Sequence, residues 1–160
     1  MILCINPDCA QPSNSDNVLF CQSCGSDLLL EGHYRAIHVL GGGGFGKTYE
    51  VSDHNSIKVL KVLINNSTKA VELFQREAQV LSQTNHPGIP KVEQGGYFIF
   101  YPKNSQQPLY CLVMEKIEGL NLRDYIEKKG QPINNDLAVR WLRVLVGILE
   151  KLHSLSLIHI

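Results

Sequence analysis

Apolar and polar positions along the chain fall into short runs and two longer periodic stretches. Residues 33–39, 48–51 and 57–64 read as strands, the third being Ile57-Lys58-Val59-Leu60-Lys61-Val62-Leu63-Ile64. Residues 68–83 read as a helix, because Val71, Phe74, Ala78 and Leu81 recur at spacings of 3, 4 and 3. Val92 to Tyr101 and Leu109 to Glu115 read as a strand pair around the polar loop Pro102 to Pro108. Leu122 to Lys129 reads as a short helix. Asn135 to Ser154 reads as a long one, with Leu137, Trp141, Leu145, Ile148, Leu149, Leu152 and Leu155 on or near one face. Near the N-terminus, the eleven residues between Cys9 and Cys21 are rich in Asn, Ser, Asp, Pro and Gln and read as loop rather than core.

Composition narrows the classes. The 160 residues are 44% hydrophobic and 19% charged, enough for a core and too apolar for extended disorder. The length fits one domain, or a small module plus part of a larger one. Fifteen basic and fifteen acidic side chains leave no net charge, which argues against a general binder of nucleic acid or anionic membrane. The N-terminus has neither a basic start nor an apolar run of signal length. Leu137 to Ile160 carries Arg140, Arg143, Glu150 and Lys151, a one-faced helix pattern rather than a bilayer span. A cytoplasmic location is the expectation. The five cysteines then need a reason other than disulfides.

Four of them lie in two knuckles, Cys4-x4-Cys9 and Cys21-x2-Cys24, the second followed by Gly25. Short gaps let paired thiolates point at one ion, and two such knuckles supply the four-sulfur tetrahedron Zn²⁺ prefers. Four unrelated reduced thiols are the alternative. A redox Cys-x-x-Cys would sit in a βαβ context that is missing. Four sulfurs leave no open coordination position, so the expected role is structural. Residues 1–32 contain no Lys or Arg but carry Asp8, Asp16, Asp27 and Glu31, which disfavours a nucleic-acid role. Cys111, alone in an apolar strand, reads as core.

Between the first two strands lies Gly41-Gly42-Gly43-Gly44-Phe45-Gly46-Lys47-Thr48, containing G-x-G-x-x-G at Gly41, Gly43 and Gly46. Such glycines let backbone N–H groups approach phosphate oxygens; a glycine-rich hairpin turn is the plainer reading. A dinucleotide fold or a P-loop would place a helix next, whereas here a strand follows.

Strand, glycine loop, strand, turn and a strand with a central lysine resemble the opening of a protein kinase. On that resemblance Lys58-Val59-Leu60-Lys61 corresponds to the V-A-I-K strand, with Lys61 on the ATP phosphates and Lys58 on the opposite face. Glu77, beside the apolar stripe of the following helix, is its implied partner in preference to Glu72. Asn85-His86-Pro87-Gly88 resembles the turn kinases place next. Leu112-Val113-Met114-Glu115-Lys116-Ile117 resembles the hinge, with Met114 as gatekeeper and backbone groups of Glu115 and Ile117 facing adenine. Asn121 is implied at the ribose or as an N-cap, and both roles are compatible. The leader strengthens the likeness. Phe20-Cys21-Gln22-Ser23-Cys24-Gly25 and Leu40-Gly41-Gly42-Gly43-Gly44-Phe45-Gly46 are similar to motifs of bacterial serine/threonine kinases that begin with four cysteines.

The resemblance implies an α+β fold. A zinc-ribbon-like module at 1–30 precedes a kinase N-lobe of five antiparallel strands and one helix at 33–117. A hinge and two helices of an incomplete C-lobe follow at 118–160. It implies ATP as nucleotide, structural Zn at Cys4, Cys9, Cys21 and Cys24, and a protein substrate. The family's Leu-Ile-His is followed by Arg-Asp; here Leu157-Ile158-His159 is followed by Ile160. The catalytic Asp, the Asn and Asp that hold Mg²⁺, and D-F-G do not occur in these residues. The expectation is a chain truncated by frameshift, pseudogene formation or assembly error, with a partial ATP site, inactive alone, and either prone to aggregate through its last helix or in need of a partner to cover it. A catalytically dead interaction module and the N-terminal part of a split kinase are the alternatives.

Overall fold

The computed structural model describes residues 1–54 and 56–154. Asn55, Leu155, the Leu157-Ile158-His159 run and Ile160 lie outside the described residues, and with them the expected end of the last helix face.

A five-stranded antiparallel sheet is the centre of the fold. Its strands are β3 (Tyr34–Gly43), β4 (Gly46–Asp53), β5 (Ser56–Leu63), β6 (Tyr97–Phe100) and β7 (Leu109–Glu115), in the order β3-β4-β5-β7-β6. Two residues, Gly44 and Phe45, turn β3 into β4, and the ladder continues through the glycines to the pair Gly43↔Gly46. The first two strands are therefore longer than the 33–39 and 48–51 expected from apolar content, because main-chain pairing does not need side chains. The β6 strand is shorter than the expected 92–101. Gly95, at φ +80°, turns the chain, with the Gly96 N–H donating to the Glu93 carbonyl at 3.0 Å.

Strand alternation gives the sheet two packed faces. On one, helix α1 (Thr68–Gln83) lays Ala70, Phe74 and Ala78 over Leu63, Val92 and Leu112, with Val71 and Leu81 packed against them. Ser67 caps this helix by accepting the Ala70 N–H. On the other face Tyr49, Val51, Leu60, Val62, Cys111 and Val113 form a core that also takes in Ile5 and Leu30 from the leader. The leader itself has a small ladder, β1 (Ile2–Leu3) with β2 (Ser13–Asn14), the second strand lying in the stretch between Cys9 and Cys21 expected to be loop. Asn14 is the reason. It is buried, donates to the Pro12 carbonyl at 2.8 Å and accepts the Gln22 N–H at 2.9 Å. Beyond the sheet lie α2 (Leu122–Lys129) and α3 (Asn135–Ser154), neither with a buried residue. Among the described residues no helix is long and apolar enough to cross a membrane.

Candidate functional site

Lys61 stands on β5 opposite Thr48 and Leu112, on the face covered by α1. Its Nζ donates to both carboxylate oxygens of Glu77, each at 2.7 Å, and lies 5.6 Å from the centre of the Phe74 ring. Both side chains are partly open to solvent, so the pair fixes geometry more than it adds stability. Glu72 is exposed. Lys58, three residues before Lys61, faces the other way. It bonds Asp53 at 2.8 Å and Glu93 at 2.6 Å and sits 5.8 Å from the Tyr34 ring.

The glycine hairpin roofs a cleft of about 300 Å³, lined by Gly41 to Thr48, Lys61, Leu63 and Phe74. The glycines are there for different reasons. At Gly46 an added Cβ would lie 2.0 Å from the Val62 carbonyl oxygen, so close packing on β5 requires glycine. At Gly41, Gly43 and Gly44 a Cβ would meet nothing within 4 Å, and none of the three has positive φ. Neither packing nor positive φ requires glycine at these three positions, and the space beside them is open. The Phe45 carbonyl accepts the Ile64 and Asn65 N–H groups at 3.0 and 3.2 Å, anchoring the tip to the end of β5.

Gly41, Gly43, Gly46 and Lys61 thus share one cleft, with Glu77 behind Lys61. Glu115, Ile117 and Asn121 lie outside its lining. Leu112 pairs with Lys61 and Glu115 with Lys58, a separation of three residues or about 10 Å along the strand. That is the scale of the distance from a nucleotide's base to its phosphates. The Glu115 N–H is taken by the Lys91 carbonyl at 2.8 Å, so its carbonyl is what it can offer a base. Met114 is half-buried against the α1-side core, and Ile117 is exposed. Asn121 caps α2: its Oδ1 accepts the Asp124 N–H at 2.9 Å and its Nδ2 donates to Asp124 Oδ2 at 2.7 Å.

The sulfurs of Cys4, Cys9, Cys21 and Cys24 all lie within 4.8 Å of one another. Cys4 and Cys24 are 3.5 Å apart, and Cys9 and Cys21 3.6 Å. A tetrahedral zinc with 2.3 Å bonds needs sulfurs about 3.8 Å apart, so the cluster fits with little movement. Gly25, at φ +74°, returns its N–H to the Cys21 carbonyl at 2.8 Å and closes the second knuckle. Burial opposes ionisation at Cys24, but hydrogen bonds from Ser26 and its neighbours bring the thiol down to about 6. Cys21 is also lowered: burial resists, and hydrogen bonds from nearby amides and Asn14 prevail. Burial, with a neighbouring sulfur adding to it, raises Cys4 and Cys9. Four sulfurs at this spacing cannot all ionise without a cation between them. Ser26 and Asn14 carried no sequence signal. Ser26 Oγ accepts the Lys103 N–H at 2.9 Å and lies 3.3 Å from Cys24 Sγ, tying the cluster to the β6–β7 loop.

Residues 34–160 match the protein kinase domain. The chain belongs to the protein kinase family. Serine/threonine-protein kinase B of Synechocystis sp. is 35% identical over 170 residues, taking in 99% of this chain and 28% of that protein. Serine/threonine-protein kinase F of the same organism is 30% identical, across 99% of this chain and 37% of its own length. Serine/threonine-protein kinase PrkC of Bacillus subtilis is 28% identical over 81% of this chain and 19% of its own. The chain therefore spans well under half the length of these relatives. The kinase N-lobe is present as expected, five strands and one helix, and the two Synechocystis matches extend across the cysteine leader.

Proposed function

We propose that this chain is the nucleotide-binding part of a serine/threonine protein kinase. ATP would lie under the glycine hairpin, its phosphates against the hairpin amides and Lys61. Its base would meet the Glu115 carbonyl and the Ile117 backbone. The observation that carries this reading is the Lys61–Glu77 pair at 2.7 Å, with Lys61 lining a cleft whose glycines at 41, 43 and 44 leave open space for a ligand to approach the backbone. Lys61 supplies positive charge; Glu77 and the Phe74 ring hold its ammonium in place. Asn121 caps α2 and would, in this reading, also reach the ribose. Phosphoryl transfer needs an aspartate base and Mg²⁺ ligands beyond these 160 residues, from further sequence or a second chain. The protein substrate is a Ser/Thr hydroxyl, and the setting is the cytoplasm.

The four cysteines hold a structural zinc in the same reading. A bound divalent ion would neutralise the thiolates and fasten both knuckles.

Calorimetric titration of the wild-type chain and of Lys61→Ala with ATP tests the nucleotide site. Each charged hydrogen bond contributes about 1.5–3 kcal/mol, so the variant should bind roughly ten- to hundredfold more weakly. Equal affinity in the two proteins would refute the assignment of Lys61.

A further inference from the structure

The leader does more than sit beside the lobe. Cys4, Asn6 and Cys9 face Val39, Lys47 and Tyr49 across a recess of about 80 Å³, so the first knuckle lies against the outer side of the glycine hairpin. Lys47 also lines the nucleotide cleft on the inner side. Tyr49 is 3% exposed and shares its core with Ile5. The hairpin tip has little else to position it. Its β4 arm pairs with β5 at Gly46↔Leu63 and Lys47↔Val62, and the Phe45 carbonyl ties the tip to the end of β5, but three glycines, at 41, 43 and 44, have nothing within 4 Å of their missing side chains. Among the described residues no carboxylate pairs with Lys47, while a divalent ion in four thiolates would place two negative charges beside it.

We infer that the filled four-cysteine site braces the glycine hairpin, with Lys47 as the positioning residue between them, so that metal and nucleotide strengthen each other's binding. This rests on both readings above. Binding at two linked sites is reciprocal, and couplings begin at about fivefold.

The test uses the full chain, zinc-loaded or stripped with a chelator, and the conservative variant Lys47→Met at an exposed position. Amide hydrogen exchange at residues 41–47 reads the brace without any nucleotide. Zinc should slow that exchange about fivefold or more and tighten ATP binding by a similar factor. In zinc-loaded Lys47→Met, with zinc content unchanged, hairpin exchange should speed up and the zinc dependence of ATP affinity should disappear. Hairpin exchange indifferent to zinc would overturn the proposal. So would wild-type exchange rates in zinc-loaded Lys47→Met, a result that holds even if stripping unfolds the chain. An equal ATP loss in loaded and stripped Lys47→Met would make Lys47 a direct phosphate contact and overturn its role as the link. Failure to retain zinc refutes the metal reading and the brace with it. Zinc-dependent protection without ATP binding refutes the nucleotide reading and the coupling to nucleotide, and leaves only the metal's hold on the hairpin.

Discussion

Single residues in the hairpin separate folding from binding. Gly46→Ala forces a Cβ into the Val62 carbonyl, and overpacking of this kind costs about 1–3 kcal/mol or more. Gly43→Ala meets open space, so its melting temperature should stay near wild type while ATP binding weakens. Paired denaturation and titration experiments check this, and an equal stability loss in both variants would contradict it. Lys58 and Lys61 make the same point within one strand. Three residues apart, they face opposite sides of the sheet, one holding Asp53 and Glu93 and the other Glu77. The hydrogen bond from Lys58 lowers the Asp53 carboxyl below its usual value. A lowered acid stabilises the fold above the unfolded value of about 3.9, and the gain is lost as pH falls through the folded value. Acid titration of stability should therefore show a loss below about pH 4 that is smaller in Lys58→Met.

At the scale of elements, legibility followed the source of the signal. Helix α1 is observed at Thr68–Gln83, as its apolar spacing predicted, because Phe74 and Ala78 are buried for the reason the spacing encodes. Strands β3 and β4 ran past their predicted ends because glycine carries no apolar signal and still pairs through its main chain. The segment from Val92 to Gly96 has one apolar side chain and joins the expected strand only through the Tyr97–Phe100 run beyond it; Gly95 turns the chain there. The partner of Lys61 could be chosen by its place beside the helix stripe. Asn14 and Ser26 could not be found, since their contacts join residues far apart in sequence. Phe74→Ala should destabilise the fold by about 3–5 kcal/mol, as large aromatic truncations do, and should also weaken ATP binding by loosening Lys61. Chemical denaturation and titration of this variant read both effects.

For the whole molecule, the leader and the sheet share one core. Ile5 is 2% exposed among β-strand residues, so Ile5→Ala should cost about 2–5 kcal/mol although it lies outside the matched kinase domain. Unfolding should remain a single transition for leader and lobe, followed by near-ultraviolet and far-ultraviolet circular dichroism; two separate transitions would contradict the shared core. The opposite end differs. Leu142, Val144, Leu145 and Val146 on α3 are each more than half exposed, and Leu120, Leu122, Tyr125, Trp141, Val144 and Leu145 line an apolar groove of about 350 Å³. This chain studied alone should self-associate through that surface. Sedimentation should show oligomers that Leu145→Glu reduces, and a monodisperse wild-type monomer would contradict the expectation. The central claim is nucleotide binding under the glycine hairpin, and the most direct measurement is amide chemical shifts of the zinc-loaded chain titrated with ATP. The account predicts saturable changes at Gly41, Gly43, Gly44 and Ile117. Changes confined to another surface, or none at millimolar ATP, would contradict it.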